Sequence, residues 1–267
     1  MKSMKLYADV HRIYNDLAAL GIRPEDGLSA GQLAPFDQYH YGGTTAVDLA
    51  LDRLGLPAGA HLLDIGSGIG GPARHAASSR DLRVTALELQ PDLDAVARDL
   101  TARCGLADLV SHACGDILDA RPRGPFDGIL SLLCMLHIPD KARLFAACRD
   151  AMKPGGPMYI EDFARARPLT GPEAKALADK VQSGDLPTPD EYRAHLQGAG
   201  FADVQLTDVT REWREVSANR VRIARAQHDV NVAVHGAEIV AGLEDFYAAV
   251  DDLWQGGSLT GLRILAR

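Results

Sequence analysis

The sequence has no apolar run long enough to span a bilayer. Its longest, residues 129–136, falls far short of the roughly 20 residues that a membrane helix needs. The first 16 residues, MKSMKLYADVHRIYND, lack the apolar stretch of a secretory signal, so a cytoplasmic protein is expected. Cysteine is scarce: Cys104, Cys114, Cys134 and Cys148 show neither CxxC nor Cys/His ligand spacing. They are expected as reduced thiols, not as a disulfide frame or a zinc site. Basic residues are outnumbered, 28 Lys+Arg against 36 Asp+Glu, for a net charge of −8. No basic stripe offsets that field, so nucleic-acid binding is not expected. There is no internal repeat and no low-complexity tract. What remains is ordinary globular composition, 46% hydrophobic and 24% charged over 267 residues, enough for one large domain or a domain with a cap.

Hydrophobic spacing sets the layout. Leu6, Val10, Ile13, Leu17 and Leu20 recur at three- and four-residue steps and predict a helix over residues 5–20. A turn-rich stretch follows to Gly43, after which Thr44 or Thr45 can cap a helix to about Leu54. Strands are then predicted over residues 61–65, 83–89, 109–113, 126–133 and 157–163, with helices from Pro72, over 91–103 and over 140–152. Strand, glycine turn, helix and strand at this spacing imply parallel pairing with crossover helices, an α/β doubly wound sheet. Further on, Thr188 or Asp190 starts a helix to Gln197, and residues 201–209 and 261–267 read as strands. Between those strands lies a long helical stretch from Trp213 to Trp254, with possible breaks at Gly236 and Gly242. It exceeds a normal connection and is expected to form a cap or lid with the N-terminal helices.

The strongest local signal is LLDIGSGIGGPAR, residues 62–74. A glycine turn between a first strand and its helix lets a ligand approach the main chain. Gly66, Gly68 and Gly71 satisfy G-x-G-x-x-G, which alone also fits a dinucleotide. Asp64, at the strand tip, suits a cationic amino group and would face a pyrophosphate badly. Glu88 ends the second strand 22 residues after Gly66, where a carboxylate can accept both hydroxyls of a ribose. Asp116, after the third strand, can accept an adenine amino hydrogen, with Leu89 and Ile117 on either side of the ring.

In this order the residues resemble the class I S-adenosylmethionine-dependent methyltransferases. LLDIGSGIGG is similar to that family's first motif, VTALEL to its acidic loop and CGDI to its third-strand loop. LHIPDK, MKPGG and MYIEDF are similar to its fourth strand, the following helix and the fifth strand. The resemblance covers about residues 40–210 and the final strand. It implies a Rossmann-like, seven-stranded, mostly parallel sheet with an antiparallel last strand. It also implies S-adenosyl-L-methionine as cofactor, contacted by Tyr41, Asp64, Gly66, Gly68, Glu88, Leu89, Asp116, Ile117 and Leu132.

FDQYHYGGT ahead of the first motif, and the insertion before GLRILAR, resemble the small-molecule branch that acts on sterols, tocopherols and phosphoethanolamine. The implied units are a helical flap over the cofactor (1–55), an α/β core (56–210), a helical lid (211–256) and a final strand (257–267). No NPPY-like tetrapeptide follows the fourth strand, where Ser131-Leu132-Leu133-Cys134 stands, and no Asp/Asn cluster suggests a metal.

On the acceptor side, His137 follows the fourth strand at the ligand-binding edge and is the first candidate acid/base group, with His40 as the alternate. Asp162 is carried over by resemblance as an orienting partner or cation contact. Met135 and Leu136 are expected in the pocket wall and Trp213 and Trp254 in the lid core. The arginines over residues 214–225 are expected on a solvated helix face, with an anion anchor as the lesser reading. The expected activity is methyl transfer to nitrogen, oxygen or carbon of a small molecule. The alternatives are an NAD(P) oxidoreductase and a non-catalytic S-adenosylmethionine-binding protein. No exposed heptad or apolar edge specifies an oligomer.

Overall fold

The computed structural model describes residues 9–119, 122 and 124–267. The N-terminal segment begins with α1 (Arg12–Ala19), which buries Ile13 and Leu17. The predicted helix is shorter than its periodicity. Leu6 lies outside the described residues, Val10 precedes the helix, and Leu20 caps it while 60% exposed.

The expected turn-rich stretch contains a helix, α2 (Ala30–Asp37). Ser29 and Gln32 form a capping box, each side chain accepting the other residue's main-chain N–H at 3.3 and 2.9 Å. Two otherwise unpaired donors are thereby satisfied, which carries a helix interrupted by Pro35. The next helix, α3 (Gly43–Leu54), is not capped by Thr44 or Thr45. Its N-cap is Gly42, at φ 77°, with no side-chain bond. A Cβ there would meet Ala46 Cβ at 3.0 Å, so the entry turn favours glycine in both conformation and space.

From β1 onward the alternation follows the hydrophobic pattern. β1 (His61–Ile65) leads to α4 (Gly71–Arg80), β2 (Arg83–Glu88), α5 (Pro91–Arg103), β3 (Val110–Cys114) and β4 (Gly128–Leu132). Then come a 3-10 turn (Met135–His137), α6 (Lys141–Ala151) capped by Asp140, and β5 (Met158–Arg165). Two more helices, α7 (Gly171–Asp179) and α8 (Pro189–Gly198), start with the capping boxes Thr170/Glu173 and Thr188/Glu191. β6 (Val204–Asp208) precedes three helices, α9 (Thr210–Ala226), α10 (His228–His235) and α11 (Ala237–Gln255), and β7 (Leu259–Ala266) closes the sheet. Gly236, at φ 87°, separates α10 from α11. Gly242 does not break the helix; it lies inside α11 at an exposed position.

The seven strands are ordered β3-β2-β1-β4-β5-β7-β6, with β7 antiparallel to both neighbours. β4 is buried at every position, as expected of a central strand covered on both faces. One face packs on α3 and α4 through Val47, Leu51, Ala73 and Leu62. The other packs on α6 and α8 through Leu144, Phe145, Leu196 and Ile160. β1 pairs with β2 on one side and β4 on the other, so the winding order reverses at β1. The carboxyl ends of the parallel strands flank a crevice there, where open α/β sheets bind ligands.

Over that edge lies an aromatic cluster uniting distant segments. Tyr41 stands edge-on to Trp213 at 5.1 Å, Phe163 to Trp254 at 5.1 Å, and the two tryptophans cross at 6.0 Å and 89°. Such pairs are each worth about 0.5–1.5 kcal/mol beyond the area they bury. Trp254 Nε1 donates to Tyr41 Oη at 3.2 Å. Both tryptophans are fully buried, as expected.

Candidate active site

A cavity of about 670 Å³ opens along this strand edge. One half is walled by the loops after β1, β2 and β3, the other by residues 39–41, the 3-10 turn, β5 and helices α9 and α11.

In the first half the glycine turn does what its sequence suggests. Gly66 has φ 76°, and a Cβ on it would lie 2.2 Å from Cys134 Sγ. Gly68 has φ 55° with open space where a side chain would stand. Its N–H donates to Glu88 Oε2 at 2.9 Å, and Gln90 N–H donates to Oε1 at 2.9 Å. The turn and the tip of β2 are thus locked together. Burial pushes the Glu88 carboxyl up to about 7 against the pull of those two N–H donors.

Asp64 is 1% exposed and lines the cavity. Burial, helped by the charge of Glu88, raises its carboxyl to about 7. Its Oδ2 is buried with no hydrogen-bond partner among the described residues. A buried carboxyl oxygen without a donor is costly, so the site is incomplete until a donor arrives from the ligand. An ammonium completes it; a second anion worsens it.

The other expected residues of this half, Tyr41, Leu89, Asp116, Ile117 and Leu132, also line the cavity. Asp116 Oδ1 already accepts Leu118 N–H at 2.9 Å in a turn, which leaves Oδ2 for a ligand.

In the second half Leu133 stands at φ 53° directly after β4, a conformation costly for a leucine. Its N–H is fixed by the carbonyl of Glu161 at 2.8 Å, and the chain then folds into the 3-10 turn that presents His137. That turn is braced by Lys141. The buried Nζ donates to the carbonyls of Met135 at 2.7 Å and Ile138 at 2.6 Å. Ser183 Oγ donates to Leu136 O at 2.8 Å.

His137 Nδ1 lies 3.4 Å from the carbonyl of Gln182, an acceptor, so Nε2 keeps the lone pair. His40 has the opposite arrangement: Nε2 donates to Gly43 O at 3.0 Å and Nδ1 keeps the lone pair. Burial holds both imidazoles down to about 4, so both are neutral at pH 7.

Asp162 is a correction. β5 runs on to Arg165, so Glu161 and Asp162 are interior strand residues and not its tip. Asp162 is fully buried outside the cavity wall, and Phe163 stands in the wall instead. Asp162 Oδ2 accepts Tyr192 Oη at 2.9 Å, and burial raises its carboxyl to about 6 while Lys141 opposes the shift. It can act on the site only indirectly, through the main chain of Leu136 and Phe163 and the charge of Lys141. Met135 is likewise in the core, while Leu136 lines the cavity as expected.

Gln90, Cys134, Ser217 and Phe246 line the cavity without having been expected there, and so does Arg220, one of the arginines for which an anion anchor was the lesser reading. The usable signal was the Trp213, Ser217, Val221 spacing, which marks the inward face of α9 and leaves Arg220 beside it. Among the described residues no cluster of three or more His, Cys, Asp or Glu could hold a metal, and no helix is long and apolar enough to cross a membrane.

Comparison with known proteins follows the same lines. The phosphoethanolamine N-methyltransferase of Triticum aestivum is 30% identical over 203 residues, 74% of this chain but 39% of the wheat protein. The chain therefore spans well under half the length of that relative. The ubiquinone biosynthesis O-methyltransferase of Xylella fastidiosa (strain M23) is 32% identical over 206 residues, 74% of this chain and 81% of the relative. The solved phosphoethanolamine N-methyltransferase 2 of Haemonchus contortus, in complex with phosphomonomethylethanolamine and S-adenosylhomocysteine, superposes with a TM-score of 0.80. It is 22% identical and covers 95% of this chain and 56% of that one. Residues 39–206 match the family described as "Methyltransferase domain", more than half of the chain. With that sheet order, that glycine turn and that acidic residue on β2, the chain belongs to the methyltransferase-domain family.

Proposed function

We propose that this chain transfers a methyl group from S-adenosylmethionine to a small-molecule acceptor enclosed in the cavity. The observation that carries this reading is Asp64: a buried, donor-less carboxyl oxygen beside an open glycine turn. It favours a ligand with an ammonium over the diphosphate of a nicotinamide cofactor. The methyltransferase names of the relatives support the same reaction class.

When bound, the donor supplies an electrophilic methyl on a sulfonium whose thioether is a good leaving group. The protein's own work is to bind, orient and keep water out. Asp64 takes the ammonium. Glu88, steadied by Gly68 and Gln90, would take the ribose hydroxyls and Asp116 Oδ2 the adenine amino group, with Leu89, Ile117 and Leu132 supplying apolar contact. Tyr41 closes the donor half from above. Of the expected units, the described part of 1–55 (from residue 9) acts as the flap, 211–256 as the lid, and the described residues of 56–210 with 257–267 as the core that fixes both. Holding a nucleophile in line can be worth about 7–11 kcal/mol of barrier in favourable cases.

His137 Nε2 is the proton acceptor of choice and His40 Nδ1 the alternate. An imidazole held near 4 is a poor base toward a resting alcohol or ammonium. It suits an acceptor atom that becomes acidic only as the new bond forms. Nε2 then orients the O–H or N–H and takes the proton late. Cytoplasmic residence belongs to the same proposal, supported by four free cysteines.

Thermal shift with S-adenosylhomocysteine, NAD and NADP tests the core of it. Stabilisation by the adenosyl thioether alone is expected, and stabilisation by the nicotinamides alone overturns it. With labelled donor, His137→Ala is expected to lower turnover far more than donor affinity. Unchanged turnover removes His137 from the chemistry.

A further inference from the structure

The charges of the cavity are segregated. The carboxyls of Asp64, Glu88, Asp116 and Asp119 stand in the donor half; of the other carboxylates on the wall, Asp37 is paired with Arg74 and Asp140 caps α6 by accepting Arg143 N–H. The inner wall of the other half is apolar, through Leu136, Phe163, Val181, Phe246 and Val250, and carries one guanidinium, Arg220. Arg143, the other arginine on the cavity wall, is 62% exposed and lies 3.9 Å from Asp119.

Among the described residues Arg220 is the arginine of α9 that lines the cavity; Arg214 is half-buried too, but stands off the cavity wall. Arg211 is exposed and pairs with Glu215, and Arg222 is exposed and bonds Asn219. Arg220 is half-buried and has no carboxylate within ion-pair distance among the described residues. Its Nη2 donates to His40 O at 2.6 Å and to Tyr39 O at 3.4 Å, and its Cζ sits 4.7 Å over the Tyr41 ring. Two carbonyls and one aromatic face fix the plane without neutralising the charge. The Nε and Nη1 donors take no protein acceptor among the described residues. A cation drawn partly from water, oriented but not compensated, is a site for an anion, and a guanidinium edge matches carboxylate or phosphate geometry.

Resting on the methyl-transfer reading above, we propose that Arg220 anchors an anionic group of the acceptor, so that the acceptor is a carboxylate or phosphate carried on an apolar body. The donor's cationic end and the acceptor's anionic end then lie at opposite poles of one cavity. That polarity excludes a simple alkylamine as acceptor. It also discourages a second donor molecule from entering the acceptor half, because an ammonium there would face a guanidinium.

The full chain, saturated with S-adenosylhomocysteine, is titrated with benzoate, phenyl phosphate and the neutral benzamide. At least one acid is expected to bind about tenfold tighter than benzamide, a difference that Arg220→Met abolishes and Arg220→Lys partly keeps. Preference for benzoate or for phenyl phosphate tells carboxylate from phosphate. S-adenosylhomocysteine affinity of the Arg220→Met protein is measured alongside and is expected to be unchanged. Equal or absent affinity for acids and benzamide overturns the proposal. So does a parallel fall in S-adenosylhomocysteine affinity, which would make Arg220 a brace for residues 39–41 only. A second arm supplies trideuteromethyl donor and a metabolite extract. Acidic labelled acceptors support the anchor and solely neutral or basic ones overturn it. If no label is transferred, the methyl-transfer reading fails, and the titration still decides the anion site.

Discussion

The donor half of the cavity is shaped by main chain. Between residues 64 and 118 the walls are strand tips, the loops that follow them and the first turns of α4 and α5, and the turn is locked by the N–H groups of Gly68 and Gln90 on one carboxylate. The acceptor half is shaped by side chains from segments far apart in sequence: Tyr41, His137, Phe163, Arg220 and Phe246. Loop geometry of the first kind is local and written in glycines. Geometry of the second kind exists only after packing, because the Tyr41, Trp213 and Trp254 rings must meet before the wall exists. The donor half is therefore rigid by backbone conformation, and the acceptor half by interlocking rings.

The harshest way to break that contrast is Gly66→Ala. A Cβ 2.2 Å from Cys134 Sγ at φ 76° cannot be accommodated by one rotamer change, and a loss of about 3 kcal/mol or more is expected in thermal or denaturant unfolding. Gly68→Ala meets nothing, so only the left-handed backbone cost of about 1–2 kcal/mol is expected, with weakened donor binding. Similar losses for both would mean that the turn is not braced by Cys134.

Next in size is Asp64→Asn. Losing a charge-assisted bond is expected to weaken S-adenosylhomocysteine binding by about 2 kcal/mol, roughly thirtyfold, by calorimetry. The pH dependence follows in sign. Asp64 and Glu88 sit near 7 when free, so binding of an ammonium ligand strengthens as pH rises through 7 and releases protons. The folded chain keeps protons that the unfolded chain has lost between about pH 4 and 7, so these two groups make the free protein less stable as pH rises through that window. Asp64→Asn should flatten both slopes. His137, neutral down to about 4, gives turnover at saturating donor no matching limb near 7. A shared limb would mean that the two halves titrate together.

Lys141→Met comes third. It strips a donor from the carbonyls of Met135 and Ile138 on either side of His137, and turnover is expected to fall about tenfold with donor affinity unchanged. Partial recovery in Lys141→Arg, and a changed ratio of turnover to acceptor KM, would distinguish positioning from loss of stability. The mildest change is Tyr41→Phe, which removes the hydroxyl that accepts from Trp254 Nε1 without opening a ring-sized cavity and should cost about 1 kcal/mol in stability.

The same contrast governs what could be read from the sequence. The boundaries of β1 and α5 match their predicted spans, because short apolar runs with Gly or Pro at their ends have one local solution. Helix α2 was hidden by Pro35 and its flanking glycines. A reciprocal Ser29/Gln32 cap outweighs those breakers, and it is visible in sequence only as S-x-x-Q. α7 was missed with the same kind of cap, at Thr170 and Glu173. The expected end of β5 failed for a different reason. Ala164 and Arg165 stay in the sheet because β7 pairs with them, and nothing near residue 163 announces a partner almost a hundred residues later. That pairing makes Asp162, expected as an orienting partner or cation contact, an interior strand residue. Arg220 was hard to tell from the other arginines of α9 in sequence, and its contacts with Tyr41 and the 39–40 carbonyls set it apart only in the fold.

The position of β7 has one more consequence. It is the last of the seven strands along the chain, yet it lies between β5 and β6 and not at a margin. Its partner Met158 precedes Ala266 by 108 residues, and α9, α10 and α11 all lie within the loop that this pairing closes. Closing so long a loop is entropically demanding and slow compared with local pairing. During synthesis the strands around the glycine turn can therefore organise before the roof over them has anything to be pinned to. Amide exchange should follow the same hierarchy, with slow exchange in β1 and β4 and early opening in α10, which buries no residue of its own.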